Sequence, residues 1–253
     1  MITVDFNRLC MSDPSRLSGY RILDIGCGSG RHTCAAFRFN NVVVMGVDID
    51  FDDAFEAKDR LKYHEKLGDY GGGVWGISVA DTLDLPFKDN FFDLVICSEV
   101  LEHIHDHKAA VSEIVRVLKP GKNLVVSVPR YLPERICWAL SENYHNSNNG
   151  HIRIYKKKVL IDLLENAGIK IWGVHFAHSL HTPYWWLKCL VGPAREDSRL
   201  VNLYHSFLVW DMMKRPWITR FLDNLLNPIM GKSIVLYLRK ENNKTLSRKH
   251  DNH

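Results

Sequence analysis

Residues Tyr20 to Asp50 read YRILDIGCGSGRHTCAAFRFNNVVVMGVDID and constrain the fold more than any other stretch. A short apolar run, Ile22 to Ile25, meets a glycine cluster at Gly26, Gly28 and Gly30. The segment from Arg31 to Phe39 can be helical, and a second apolar run, Val42 to Val47, ends at Asp48. Glycines let a chain turn at positive φ and bring bare backbone against a ligand. An acid at the tip of the second strand, roughly 20 residues beyond the turn, can accept both hydroxyls of a ribose. Strand, glycine turn, helix and acid-ended strand are the parts of a nucleotide-binding βαβ unit.

The glycine spacing departs from the dinucleotide pattern G-x-G-x-x-G. Asp24 also lies two residues before the first glycine. That carboxylate would repel a pyrophosphate and attract an ammonium group. S-adenosylmethionine (SAM) has a ribose and an ammonium and lacks phosphate, so it fits this pattern better than a dinucleotide.

LDIGCGSG resembles motif I of the class I SAM-dependent methyltransferases, and GVDID resembles the acidic end of their second strand. DLPFKDNFFDLVICSEVLEHI and RVLKPGKNLVVSVP follow in the family's order and spacing, so the resemblance spans Tyr20 to Pro129. The branch it resembles is the small-molecule type 11 group, which includes ubiquinone and menaquinone methyltransferases. The resemblance implies an α/β, Rossmann-like, seven-stranded mixed sheet of order 3-2-1-4-5-7-6, with strand 7 antiparallel and helices on both faces. It implies SAM as cofactor, S-adenosylhomocysteine as product, and a cofactor set by position. Asp24, Gly26, Cys27, Gly28 and Gly30 would surround the amino-acid part. Asp48 and Ile49 would hold the ribose, Asp81 and Thr82 the adenine, and Ser98 and Glu99 would sit beside the sulfonium. Asp81 also suits an N-cap, and Ser98 with Glu102 suits a helix entry.

Composition sets outer bounds. The chain has 253 residues, 46% hydrophobic, enough for one sizeable core, and a net charge of +4. No basic block interleaved with aromatics points to nucleic acid. Six cysteines without C-x-x-C suggest neither a zinc site nor a redox pair, and they favour a reducing cytoplasm. Met1 to Ser12 is polar, so no signal peptide is expected. No apolar run reaches the roughly 18 residues of a membrane helix, leaving at most peripheral contact at the inner membrane face. One domain is expected over 1–240, with a disordered polar tail at 241–253.

Further helices are expected at 51–67, 108–118 and 156–167, and further strands at 74–80, 92–97, 123–128, 169–176 and 233–238. Pro120-Gly121 should stop the second of these helices, and Ser141 to Gly150 should be loop. Residues 177–232, between strands 6 and 7, are expected to be a helical insertion, with helices near 184–190 and 200–213. It holds Tyr184, Trp185, Trp186, Trp210, Trp217 and Phe221 among other aromatics. Such a segment can simply pack, can touch a membrane surface, or can roof the acceptor pocket; a roof over an apolar acceptor is the preferred reading.

Three residues stand out as catalytic: His103, His151 and Arg153. An imidazole titrates near neutrality and could take a proton from an acceptor hydroxyl. His103 could equally pack against the cofactor. GHIRIY resembles a segment of many type 11 enzymes, and alternation would put His151, Arg153 and Tyr155 on one face. Arg153 could fork an acceptor's anionic group or pair within the scaffold. The run His103, His105, His107 invites a metal, but no accompanying carboxylate cluster is apparent and no metal is expected. The resulting expectation is methyl transfer to a small lipophilic acceptor, at oxygen rather than carbon. The alternatives are an N-, protein or RNA methyltransferase and a non-catalytic SAM-binding module. An NAD(P) oxidoreductase lacks its glycine pattern here.

Overall fold

The computed structural model describes residues 2–145 and 151–242. Seven strands form one sheet in the order β3-β2-β1-β4-β5-β7-β6. They are β1 (Arg21–Ile25), β2 (Val43–Asp48), β3 (Val74–Val79), β4 (Phe92–Ser98), β5 (Leu118–Pro129), β6 (Ile169–Ala177) and β7 (Ser233–Lys240). The first five run parallel, and β7 pairs antiparallel with both β5 and β6. The expected topology is the observed one.

Alternation along the strands divides the core. Leu23, Val95, Leu124 and Leu236 belong to one buried cluster with Ala110, Val111, Ile114, Leu160 and Leu164. Those helical residues come from α4 (His107–Val117) and α7 (Lys157–Asn166). Ile22, Leu94, Ile96, Val125 and Tyr237 face the other way, onto Cys34, Phe37 and Leu61. These sit on α2 (Arg31–Phe37) and α3 (Phe51–Lys66). A strand buried on both faces is apolar along its run, and β4 is buried from Phe92 to Cys97 with one acid, Asp93, which is paired with Lys119 and Lys122. The N-terminal residues, with the short helix α1 (Phe6–Leu9), pack on the α2 side: Thr3 donates its N–H to His32 and Asp5 donates its N–H to the Tyr237 hydroxyl.

Local differences from the sequence reading are few. Helix α4 passes straight into β5 at Leu118, so Pro120 and Gly121 lie within the strand rather than before it. Residues 131–145 fold as α5 (Tyr131–Leu140) and α6 (Glu142–His145), so the start of the expected loop is helical. Positions 146–150 and the tail beyond 242 lie outside the described residues. The insertion carries three helices: α8 (Thr182–Val191), α9 (Arg199–Lys214) and α10 (Trp217–Met230). The third, α10, was not among the expected helices and carries Pro228 in its last turn.

Candidate functional site

The turn after β1 is built by competing demands on its glycines. Gly26 has φ 62°, and a Cβ there would fall 2.2 Å from Val100 Cγ2. The loop after β1 therefore rests directly on the loop after β4. Gly28 has φ 49°, yet nothing lies within 4 Å of its would-be Cβ. Its bare backbone faces open space at the carboxyl end of the sheet, between β1 and β4, where open α/β sheets take their ligands.

Two carboxylates frame that space. Asp48 Oδ2 accepts the Gly28 N–H at 2.7 Å, and its Oδ1 accepts the Asp50 N–H at 3.0 Å. A carboxylate offers about four acceptor positions, so two ribose hydroxyls can still be accommodated. Asp24 is buried and takes a 2.6 Å hydrogen bond from the Thr33 hydroxyl. Burial pushes its carboxyl up to about 7, which the Thr33 bond only partly offsets. Burial also pushes the Cys27 thiol far up, away from the reactive thiolate form. Ile49 is 71% exposed beside Asp48. Asp81 Oδ1 accepts the Leu83 N–H at 2.9 Å, and Thr82 is buried behind it. Asp81 thus braces a turn with no helix after it before β4, and its carboxylate stays at the surface.

The exit of β4 holds the second half of the site. Glu99 sits at φ 58°, a left-handed conformation for a bulky residue. Such strain gathers at functional sites, where the surroundings hold it in place. The Ser98 and Ser127 hydroxyls lie 2.7 Å apart, and Ser127 donates to Glu99 at 2.9 Å. Glu102 is wholly buried, and neither carboxylate oxygen has a hydrogen-bond partner. Burial, with Glu99 nearby, holds its carboxyl well above the usual range. His103 is exposed, and its ring lies edge-on to His151 with centroids 5.0 Å apart. His151 Nδ1 lies 2.6 Å from the buried Glu134 carboxylate. Burial alone would raise Glu134, but the His151 hydrogen bond and charge hold it below its ordinary value. The half-buried Lys232 ammonium supplies positive charge to Glu99, Glu102 and Glu134, and desolvation lowers its own value.

The extended piece carrying His151 does not present one face. The Ile152 N–H donates to the Glu102 carbonyl at 3.1 Å, which seats His151 beside Glu102. Arg153 donates to the His105 carbonyl at 2.8 Å and contacts His107 Nδ1. Tyr155 is buried, with its hydroxyl 2.7 Å from the same nitrogen. The structure brings His103 and His151 together. It places the Arg153 guanidinium against the start of α4.

Residues 23–126 match the family model for the type 11 methyltransferase domain. An O-methyltransferase of Aspergillus nomiae is 32% identical over 129 residues, covering 50% of this chain and 55% of that protein. A sterol 24-C-methyltransferase of Yarrowia lipolytica is 28% identical over 166 residues, covering 60% of this chain and 40% of that protein. Residues 23–126 carry a methyltransferase domain of the type 11 branch of the class I SAM-dependent methyltransferases. It spans about half the length of the curated relatives it matches. Among solved structures, YcgJ of Bacillus subtilis superposes with a TM-score of 0.58 at 18% identity, over 94% of this chain and 99% of that one. The 4+2 cyclase SpnF does so with a TM-score of 0.57 at 22% identity, over 93% and 81%. At such identity these likenesses establish the fold alone, and the cyclase illustrates that one fold hosts different reactions.

Sequence reading singled out the methyltransferase glycine turn and its acids, but passed over Glu134 and Lys232. Glu134 lies on α5 and Lys232 just before β7, far apart in sequence, and neither sits in a family motif. Charged residues in an apolar, aromatic segment such as YLPERICWAL were the available signal, since an acid there must be paired when buried.

Proposed function

We propose that this type 11 methyltransferase transfers the methyl group of SAM to an oxygen of a small lipophilic acceptor. The observation that carries the donor half is the open space over Gly28, framed by Asp48 and by Asp24. A buried carboxyl near 7 ionises when a cation approaches, which suits the donor's ammonium. Asp48 and Ile49 would take the ribose, Asp81 and Thr82 the adenine edge. Ser98 and Glu99 would stand by the sulfonium.

The acceptor half rests on the group of side chains beyond β4. Glu99, Glu102, His103, His151 and Glu134 supply the polar floor, and Tyr144 with Trp185 supplies an apolar wall whose rings lie 5.8 Å apart. Lys232 Nζ sits 4.0 Å from the Trp185 ring centre, which ties α8 to the site. Trp186 donates to the Pro133 carbonyl at 3.1 Å, so α8 is fastened over α5. Helix α8 is the part of the insertion that would cover the acceptor.

Methyl transfer is an in-line displacement at carbon. The acceptor oxygen forms the new C–O bond as the C–S bond breaks, and the sulfonium charge is discharged. Positioning and exclusion of water supply most of the acceleration. His103 would take the hydroxyl proton, and His151, held by Glu134, would orient the acceptor. Lean toward oxygen draws support from relatives named O-methyltransferases in Aspergillus nomiae and Penicillium expansum.

A second surface bears on where the acceptor comes from. Leu200, Leu203, Phe207, Trp210 and Met213 on α9, and Trp217, Phe221, Leu225 and Ile229 on α10, are exposed at helical spacing. Trp217 is 76% exposed. Lys214 and Arg215 lie exposed between the two stripes. Apolar stripes edged by cations match an anionic lipid surface, from which a lipophilic acceptor could be drawn. Among the described residues no helix is long and apolar enough to cross a membrane.

The deciding test is calorimetric titration with SAM, then incubation with lipophilic phenols and enols and measurement of S-adenosylhomocysteine. Micromolar SAM binding, lost in Asp48→Ala, with product formed from a hydroxylated acceptor, is expected. Native SAM affinity in Asp48→Ala would remove the donor site. Tight SAM binding with no turnover on any acceptor would favour a non-catalytic module.

A further inference from the structure

The side chains beyond the carboxyl end of β4 include a donor set that methyl transfer alone does not require. One carboxylate oxygen of Glu102 and one ring nitrogen each of His103 and His151 all lie within 4.8 Å of one another. Ligands held about 2.1 Å from a common ion stand up to roughly 4.2 Å apart, so small side-chain shifts would close this set. From this grouping and the orphaned Glu102 carboxylate, we infer that Glu102, His103 and His151 form a binding site for a first-row divalent cation such as Mn2+ or Zn2+.

Two observations point to a ligand independently of the cluster. The first is Glu102 itself. Its side chain is fully buried, and both oxygens lack a hydrogen-bond partner. Buried carboxylates without partners are rare in native proteins, and each needs an explanation. Around it stand Glu99 and Glu134, which repel its charge, and Lys232, which attracts it. That is a local surplus of acids over cations, and a divalent ion redresses it.

The second is the support given to His151. Its Nδ1 is engaged at 2.6 Å by Glu134, leaving Nε2 as the atom for a ligand. Metal-bound histidines commonly donate their other ring N–H to a carboxylate, which fixes the tautomer and makes the ligating nitrogen more basic. The backbone bond from Ile152 N–H to the Glu102 carbonyl fixes the spacing of the two donors. His103 follows Glu102 directly, so a single turn supplies two of the three ligands.

One carboxylate and two imidazoles suit Mn2+, Fe2+, Co2+ or Zn2+ better than Mg2+ or Ca2+, which prefer oxygen alone. Three protein ligands leave positions for solvent or substrate. Resting on the methyl-transfer reading, the open positions would take an acceptor hydroxyl, best one with a second oxygen beside it, as in a catechol or vicinal diol. With the ion bound, His103 acts as a ligand and not as the base: the cation aligns the hydroxyl and lowers its pKa, so that its proton passes to solvent.

The test uses the full chain, stripped with a chelator and titrated with Mn2+ followed by electron spin resonance, and separately with Zn2+ by calorimetry. One saturable ion per chain is expected. Glu102→Gln and His151→Ala should each weaken it at least tenfold, and Glu134→Gln by about 10- to 100-fold through the lost support of His151. SAM titration of the same variants should give unchanged affinity, which shows that they are folded. No saturable binding by the stripped protein, or undiminished binding in folded Glu102→Gln, overturns the site and would mean that Glu102 is held as a neutral acid. Ion binding without SAM binding would instead overturn the donor reading and leave this one standing.

Discussion

Gly26 and Gly28 stand two residues apart, and their alanine variants should fail in different ways. Both have positive φ, 62° and 49°. Alanine in that region costs about 1–2 kcal/mol in either place. Only Gly26→Ala adds a clash, because its Cβ would lie 2.2 Å from Val100 Cγ2 and 3.4 Å from Val100 Cβ. Val100 must rotate or move away, at a further cost of about 1–3 kcal/mol. The expected losses are therefore about 2–5 kcal/mol for Gly26→Ala and about 1–2 for Gly28→Ala. The Gly28 methyl would project into the space proposed for the donor, so Gly28→Ala should lose SAM affinity far beyond its loss of stability. Urea denaturation gives the first quantity and calorimetry the second. In a Val100→Ala background the Gly26→Ala penalty should shrink toward the strain alone, a coupling of about 1–3 kcal/mol. Equal destabilisation by the two glycine variants, with no coupling to Val100, would refute the packing argument. Native SAM affinity in Gly28→Ala would refute the cradle.

Three further outcomes follow from the site. Asp24 titrates near 3.8 when unfolded and about 7 when folded. Between those values the folded state holds the extra proton, so Asp24 lowers stability as pH rises through that window. Asp24→Asn cannot titrate and should flatten the decline in urea midpoint between pH 5 and 7.5; a decline as steep as in the parent would sink the assignment. Arg153→Ala removes the donors to the His105 carbonyl and His107 and should cost about 1–3 kcal/mol by denaturation, with turnover falling in step. Lost turnover at unchanged stability would return Arg153 to the acceptor side. Trp217→Glu with Phe221→Glu should reduce co-sedimentation with anionic vesicles at least tenfold while sparing SAM affinity, and unchanged sedimentation would exclude α10 as a lipid-facing surface.

The strands and the glycine turn were legible in the chain because both are written locally, whereas the strand order came only from the family resemblance. Ile22 to Ile25 and Phe92 to Cys97 are apolar at each position, as strands covered on two faces must be, apart from the acids Asp24 and Asp93. Gly26 and Gly28 precede a helix, and Asp48 ends a strand, as the βαβ unit requires. Asp24 and Asp48 were identifiable because their chemistry depends on their place in one short motif.

The acceptor side was decided by tertiary structure. Arg153, His107 and Tyr155 form one hydrogen-bonded group, which no alternation rule could reveal because residues 151–155 are not a strand. Glu134 and Lys232 enter the site from elements separated by almost the whole acceptor-facing half of the chain. The three alternating histidines supply no ligand set along the sequence, whereas the fold sets His103 beside His151 and Glu102. Periodicity records which side of an element is buried. It cannot record which distant element supplies the partner, because burial of charge is settled by the sum of all neighbours, and those neighbours exist only once the chain has closed on itself.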